Sequence, residues 1–323
     1  MEEGITIAFD NREMLSGICG ANDGNLRIIE DSIGGLITAR GNEIHFESRN
    51  NTSVKRFRTM MDNLIELLKE GELLSPEYVQ ALAGEFVPGE TEISSPDEKG
   101  FFRDSMIQIP HGFNRVYPRS KNQASYIQGM RTNEICFCIG PAGTGKTYLA
   151  IAHALQILLS KKIRKLVLTR PVVEAGENLG FLPGDLAQKI DPYLKPLYDA
   201  MESLVPYDVI SRMEETRAIE IAPLAYMRGR SLNDCIVILD EAQNTTKEQM
   251  KMFLTRIGTC TRAVITGDST QIDLPRKTDS GLLHALDILR EIEGLYFSFL
   301  HTSDVARNPL IKKIIQAYDE NKS

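Results

Sequence analysis

The sequence predicts an α/β protein with a mostly parallel sheet covered by helices, preceded by a smaller α+β unit. Three observations support this. From about Gly112 onward, short apolar runs alternate with stretches of helical spacing. A glycine-rich loop joins a predicted strand directly to a helix. The apolar run "IVIL" ends in adjacent acids, Asp240 and Glu241, whose mutual repulsion calls for a positive group nearby.

Residues 1–85 are predicted to form a small domain of their own. "ITIAF" alternates like a strand, and "NREMLSGICG" and "NLRIIEDSIG" have the spacing of helices. "GLITAR" and "EIHFES" are typical of a hairpin around Gly41 and Asn42. "VKRFRTMMDNLIELLKEG" predicts a closing helix that stops at Gly71.

A linker is predicted over residues 86–112, because "VPGETEISSPDEKG" combines Pro, Gly, Ser and acids without periodicity. Residues 113–323 then form the larger α/β domain, in which we expect the site.

Composition favours a cytoplasmic protein. The chain has 323 residues, 42% of them hydrophobic, and a formal charge of -7. Its apolar runs fall short of the roughly 18 residues of a membrane span, and the acidic start lacks a secretion signal. The 5 cysteines include Cys136 and Cys138 on one strand, without metal-binding spacing, so we interpret them as core residues in a reducing compartment.

The loop after "EICFCI" matches the pattern G-x-x-x-x-G-K-[ST] between a strand and a helix, which is typical of a nucleoside triphosphate site. Backbone N–H groups and the helix N-terminus would bind the phosphates. Lys146 is expected to reach the β- and γ-phosphates, and the Thr147 hydroxyl to ligate Mg²⁺. The predicted nucleotide-binding residues here are Gly140, Pro141, Ala142, Gly143, Thr144, Gly145, Lys146, Thr147 and Tyr148.

This loop accounts for the paired acids. Asp240 is predicted to lie beside Mg²⁺ together with Thr147, and Glu241 to polarise a water at the γ-phosphate as general base. In "RAVITGDSTQIDLP" a further strand ends near Asp268, and Gln271 follows. Its amide is a candidate γ-phosphate sensor, although "GD" is also turn chemistry.

Together these motifs resemble the PhoH-like ATPases, P-loop proteins close to superfamily 1 helicases. The resemblance runs from "YPRSKNQASYI" to "DVARNPLIKKIIQAY" and includes the long signature "TRPVVEAGENLGFLPGDLAQKIDPYLKPLYDAM". The arrangement is similar to the YbeZ-type members, which carry an extra N-terminal domain.

Further roles follow from the resemblance. It implies that Gln123 reads adenine, that Arg170 lies where related helicases contact nucleic acid, and that Arg307 completes the γ-phosphate site. The alternatives are a helix-surface amide for Gln123 and solvated or ion-paired arginines for the other two.

The N-terminal domain resembles a KH-like module, whose loop and helix clamp single-stranded RNA. Here "GANDG" lacks the tight G-x-x-G, and Asp23 would repel phosphate. Lys55, Arg56 and Arg58 are an alternative RNA contact, or a solvated face.

The resemblance implies one RecA-like core where related helicases use two, with residues 171–230 as an insertion without strands of a second sheet. We therefore expect a homo-oligomeric ring, a hexamer as is usual for RecA-like rings, in which Arg307 reaches the neighbouring site. Arg256 and Arg262 are alternative arginine fingers.

The predicted function is an ATP-hydrolysing motor or remodeller acting on single-stranded RNA, with a YbeY-type endoribonuclease as partner, both implied by the resemblance. Two alternatives stay open: a P-loop kinase whose lid arginines come from "MRGRSLND", and a slow ATP-binding scaffold that recruits a nuclease. Basic residues that could contact phosphate lie on predicted loops: Lys161, Lys162, Arg164, Lys165, Arg228, Arg230, Arg276 and Lys277.

Overall fold

A computed structural model describes residues 3–69, 74–84, 104–171 and 186–305. The chain divides into two compact units, one of residues 1–106 with 117–124 and one of residues 107–116 with 125–323.

The N-terminal unit contains a three-stranded antiparallel sheet of order β1-β3-β2, formed by β1 (Glu3–Ala8), β2 (Leu36–Arg40) and β3 (Glu43–Ser48). The predicted hairpin at Gly41 and Asn42 is present, and Gly41 has a φ of 62°. A positive φ suits glycine because it has no Cβ to clash.

The helices of this unit that the structure describes with both ends are α1 (Arg12–Cys19), α2 (Gly24–Ile33), α3 (Asn51–Lys69) and α4 (Pro76–Gly84). Phe46 of β3 stacks on Phe57 of α3 with ring centroids 4.4 Å apart, in a core that the spacing of α3 predicts. On the same helix Lys55 and Arg58 are exposed. The likeness of this unit to a KH module stays a prediction, as does the domain boundary at residue 85.

Part of the predicted linker belongs to the second unit. Strand β4 (Ile107–Gln108) pairs with β5 (Arg115–Val116), and Ile107 and Ile109 are fully buried in the second unit's core. The alternation "MIQIP" is too short to stand out beside the polar run that precedes it. Residues 86–103 of the predicted linker lie outside the described residues.

The second unit is built on six parallel strands, which confirms the predicted α/β class. The strands are β6 (Ile135–Ile139), β7 (Lys165–Arg170), β8 (Ile219–Pro223), β9 (Cys235–Leu239), β10 (Arg262–Gly267) and β11 (Leu295–Phe299). Their order is β11-β6-β10-β9-β7-β8. The described helices of this unit are α5 (Lys121–Thr132, which starts in the first unit), α6 (Lys146–Leu159), α7 (Leu186–Glu202), α8 (Tyr207–Glu215), α9 (Lys247–Leu254) and α10 (Gly281–Leu289).

Strand β9 shows why its sequence is apolar throughout. Ile236 and Ile238 pack into the core on one face of the sheet, while Val237 and Leu239 pack into the core on the other. A strand covered on both faces has no solvent side to keep polar.

Strand β8 lies within residues 171–230, the predicted insertion, and it belongs to the main sheet and not to a second sheet. Leu166 to Arg170 of β7 pair with Ile219 to Pro223 of β8, so this region adds an edge strand to the main sheet. The alternation in "AIEIAP" signals such a strand. None of the described helices is long and apolar enough to cross a membrane.

Candidate nucleotide site

The glycine-rich loop follows β6 directly and leads into α6 at Lys146, as the sequence predicts. Gly143 and Gly145 have φ values of 81° and 84°. Glycine adopts these left-handed conformations at little cost because it has no Cβ. The loop and the first turn of α6 therefore form a concave backbone surface suited to phosphate.

Lys146 is folded back onto this loop. Its Nζ donates to the carbonyl oxygens of Gly140 at 2.6 Å and Pro141 at 2.8 Å, and Thr144 Oγ1 also donates to Pro141. Burial lowers the pKa of the Lys146 ammonium, and nearby Cys138 and acids oppose this shift. The Lys146 side chain therefore lies beside the loop, bound to carbonyls that a phosphate oxygen can replace.

Asp240 lies at the end of β9 and is bonded to the first helical turn. Its Oδ1 accepts from Thr147 Oγ1 at 2.6 Å and from Thr266 Oγ1 at 2.7 Å, and the residue is buried. Asp240 N donates to the Thr169 carbonyl at 2.9 Å, which extends the contact between the two strand ends. The sequence prediction that Thr147 and Asp240 lie together matches this geometry.

Glu241 has an unusual backbone, with a φ of 53°. Such a conformation in a non-glycine residue needs support from its surroundings. The side chain is held at both oxygens: Oε1 accepts from Arg170 at 2.9 Å and Oε2 from Gln243 Nε2 at 2.5 Å. The carboxylate, 39% exposed, still faces solvent with free lone pairs.

Arg170 is ion-paired and points into the site, so the ion-paired alternative describes it here. Its guanidinium lies 3.3 Å from Asp240 Oδ2 and 2.9 Å from Glu241 Oε1, and only 16% of its side chain is exposed. It is a positive group of the kind that adjacent acids at a strand end require.

A cavity of about 250 Å³ opens between these groups. Its lining includes the predicted residues Ala142, Gly143, Gly145, Lys146, Thr147, Tyr148, Asp240, Glu241 and Gln271, together with Gly267 and Asp268. Gly140 and Pro141 line a neighbouring cavity of about 310 Å³ beside Asp268 and His301. Carboxylates, a lysine and helix N–H groups in one cleft suit a phosphate chain with a cation.

Gln243 is a site residue that the motif analysis missed. It is fully buried, and its amide joins Glu241 to the loop after β10: Nε2 donates to the Gln271 carbonyl at 3.1 Å, and Oε1 accepts from Asp268 N at 2.9 Å. The available signal was the polar "QN" directly after "DEA", in a turn between two apolar segments.

The donor set fits Mg²⁺. This ion keeps several waters and takes one or two protein oxygens plus phosphates, so a hydroxyl and a carboxylate suffice. Thr147 Oγ1 and Asp240 Oδ1 supply them, and buried Asp268 Oδ2 has no hydrogen-bond partner among the described residues. A cluster of three or more His, Cys, Asp or Glu that could hold a metal by themselves is absent from the part of the chain that the structure describes.

Of the other predicted residues, Gly140, Pro141, Thr144 and Gln123 do not line this cavity. Gln123 is buried, and its Oε1 accepts from Arg119 N at 2.6 Å, so the surface-amide alternative does not describe it. Its reading of adenine stays a prediction. Arg307 lies outside the described residues.

The alternative arginine fingers are both engaged locally. Arg262 donates to the carbonyls of Met130 and Arg131 at 3.1 and 3.0 Å. Arg256 donates to the Arg230 carbonyl at 3.4 Å.

Several predicted basic contacts already have partners. Lys165 and Arg230 both bind Glu220 near the amino end of β8, and Arg276 pairs with Asp279. Lys161, Lys162 and Arg164 are exposed before β7, at the sheet edge opposite the cavity.

This chain is similar to known proteins over most of its length. The family model described as PhoH-like protein matches residues 115–319. A PhoH-like protein of Mycobacterium leprae is 44% identical over 95% of this chain and 86% of its own length. One from Bacillus subtilis is 42% identical over 96% of this chain and 95% of its own. Among solved structures, EssC (ATPases 2 and 3) from Geobacillus thermodenitrificans is 13% identical in sequence, with a TM-score of 0.25. The match covers 79% of this chain and 46% of the EssC chain.

Proposed function

This chain belongs to the PhoH-like protein family, and on that premise we propose that it hydrolyses ATP with Mg²⁺ and couples hydrolysis to work on single-stranded RNA. One observation carries the hydrolytic part. The 2.6 Å hydrogen bond from Thr147 to Asp240 joins the phosphate-binding helix to the strand end that presents Glu241, over a single cavity.

The residues divide the reaction between them. Backbone N–H groups of the loop and the Lys146 ammonium bind the β- and γ-phosphates and stabilise the charge that spreads over the γ-phosphoryl oxygens. Thr147 and Asp240 would hold Mg²⁺, which when bound neutralises phosphate charge and orients the phosphate groups of ATP.

Glu241 accepts the proton of the attacking water as that water adds to the γ-phosphorus, while the bond from the γ-phosphorus to the oxygen that bridges the β- and γ-phosphates breaks and ADP leaves. Gln271, at the rim of the cavity, donates its side-chain amide to the γ-phosphate and loses this contact after hydrolysis, which would report the nucleotide state to the loop after β10.

ATP is proposed as the nucleotide because of the family resemblance at Gln123, whose amide would read the adenine edge. The assembly is proposed to be a head-to-tail ring, a hexamer, with Arg307 reaching the neighbouring cavity. In support, the described residues of the second unit contribute to a single six-stranded sheet plus the short β4–β5 pair.

Single-stranded RNA as substrate, a YbeY-type endoribonuclease as partner and a cytoplasmic location are proposed from the resemblance. Exposed cations are available for phosphate contact at Lys161, Lys162 and Arg164. For the kinase alternative, one of the two arginines of "MRGRSLND", Arg230, is bound to Glu220 near the amino end of β8, while Arg228 is exposed.

The test is phosphate release from ATP by the purified chain, with and without single-stranded RNA, beside Lys146→Ala. We expect release without any acceptor, stimulation by RNA, and loss of both in the variant. Phosphate transfer that requires an acceptor would contradict hydrolysis. Release that ignores RNA would contradict the coupling, and the assay would be repeated with the endoribonuclease.

A further inference from the structure

Arg170 occupies a position that the reaction described above does not use. It is the last residue of β7, and its neighbour in the sheet, β9, ends one residue before Asp240. One guanidinium nitrogen contacts both acids, at 3.3 Å from Asp240 and 2.9 Å from Glu241. The arginine therefore neutralises part of the repulsion between adjacent carboxylates.

The other guanidinium nitrogen leaves the acids and bonds elsewhere. Arg170 NH1 donates to the Tyr193 carbonyl at 2.8 Å, in helix α7. A guanidinium is planar and presents its donors in a rigid fork, so the two bonds are geometrically linked. A shift of α7 must move the guanidinium or break one of these bonds.

Glu241 is the group that depends most on this contact. Its backbone sits in the left-handed region, and its side chain is 39% exposed, so packing alone does not fix the carboxylate. Two donors fix it instead: Gln243 at Oε2 and Arg170 at Oε1. Gln243 is anchored to the loop after β10, whereas Arg170 is anchored to α7.

We infer that Arg170 is a positioning residue for hydrolysis: it orients Glu241 toward the attacking water and makes that orientation depend on the position of helix α7. This inference rests on the proposed ATP hydrolysis. Its consequence is that a ligand or neighbouring subunit that moves α7 changes the turnover rate rather than the binding of ATP.

Removing the Arg170 guanidinium distinguishes an effect on the turnover rate from an effect on ATP binding. We expect Arg170→Ala to lower kcat by roughly 10- to 100-fold, the range for a small misplacement of a reacting group, while KM for ATP changes by less than about 3-fold. The kcat of Arg170→Lys should lie between those of Arg170→Ala and the wild type. A single ammonium cannot reach both the acids and the Tyr193 carbonyl with fixed geometry.

A double variant distinguishes positioning from simple structural support. If Arg170 acts through Glu241, then Arg170→Ala combined with Glu241→Gln should be no more than about 2-fold slower than Glu241→Gln alone. Arg230→Ala is the matched control, since Arg230 also pairs with a carboxylate, Glu220, but away from the cavity. It should leave kcat unchanged.

Two controls are recorded on each variant. Binding of a fluorescent ATP analogue tests whether the site still binds nucleotide, and thermal unfolding tests whether the protein is folded. Full activity in Arg170→Ala, or independent losses that multiply in the double variant, would overturn the inference while leaving ATP hydrolysis standing. A wild-type chain without phosphate release beyond that of Lys146→Ala would overturn both.

Discussion

A cluster of charged side chains lies at each end of strand β7, and the net charges of the two clusters have opposite signs. At the amino end, the cations Lys165 and Arg230 both contact the single carboxylate of Glu220, with Arg230 bidentate. We name this the amino-end cluster. Its two cations share one carboxylate, which leaves a net positive charge, and both Glu220 oxygens accept hydrogen bonds from these cations.

The carboxyl-end cluster consists of Arg170, Asp240 and Glu241. Here one cation serves two carboxylates, which leaves a net negative charge. A second cation is needed to complete it, and the groups that would supply one are the Mg²⁺ ion proposed at Thr147 and the ammonium of Lys146 beside it. Two clusters of three ion-paired side chains therefore differ in role according to the sign of the charge that each leaves uncompensated.

The largest effect in this comparison is expected at Gln243, which supports the carboxyl-end cluster without carrying charge. Gln243→Leu keeps the volume but removes the donor to Glu241 and leaves the buried Asp268 N–H without its acceptor. We expect kcat to fall by roughly 100-fold, and the free energy of unfolding by about 1–3 kcal/mol. Steady-state kinetics and denaturant unfolding measure the two changes.

Its matched control is Gln156→Leu, which removes an amide that donates to the Gln108 carbonyl at 3.2 Å, outside the cavity lining. This variant should keep the wild-type kcat. Equal rate losses in both glutamine variants would show that general destabilisation explains the effect at Gln243.

A smaller effect, on stability alone, is expected in the amino-end cluster. Hydrogen bonds from Arg230, with help from Lys165 and against the effect of burial, hold the pKa of Glu220 at about 2, below its ordinary 4.5. The stabilisation is therefore complete above pH 4.5 and is lost as the pH falls toward 2. Glu220→Gln should lower Tm by about 1–4 °C at pH 7.

The difference in Tm between wild type and Glu220→Gln should shrink as the pH falls below 4.5, and kcat should stay within about 2-fold of wild type. A pH-independent difference in Tm would contradict the assignment of the effect to the Glu220 charge. A large loss of kcat would break the contrast between the clusters.

Much of the site was predictable because it is encoded locally. The phosphate loop needs glycines at fixed positions between a strand and a helix, and the acids follow a fully apolar strand, so Lys146, Thr147, Asp240 and Glu241 can be found in the linear sequence. Parallel strands place such ends on one edge of a sheet, which predicts that they meet.

The contacts of Arg170 and Gln243 could not be predicted from the sequence, because they depend on the directions in which these side chains point. Arg170 ends strand β7, but whether its side chain reaches solvent or turns toward Glu241 is decided by the neighbouring strand and by α7. Gln243 needs the loop after β10 to supply its partners, and that loop is distant in sequence. The short strands β4 and β5 span 2 residues each, too few to produce a periodic pattern.

We expect Mg²⁺ to complete the charge of the carboxyl-end cluster, and not of the amino-end cluster, for hydrolysis. This claim is tested most directly by titrating Mg²⁺ against the rate of phosphate release for wild type, Asp240→Asn and Glu220→Gln. We predict that Asp240→Asn needs roughly 10- to 100-fold more Mg²⁺ for its half-maximal rate, while Glu220→Gln follows the wild-type curve. An Asp240→Asn curve that overlays the wild type, or an equal shift in Glu220→Gln, would contradict the claim.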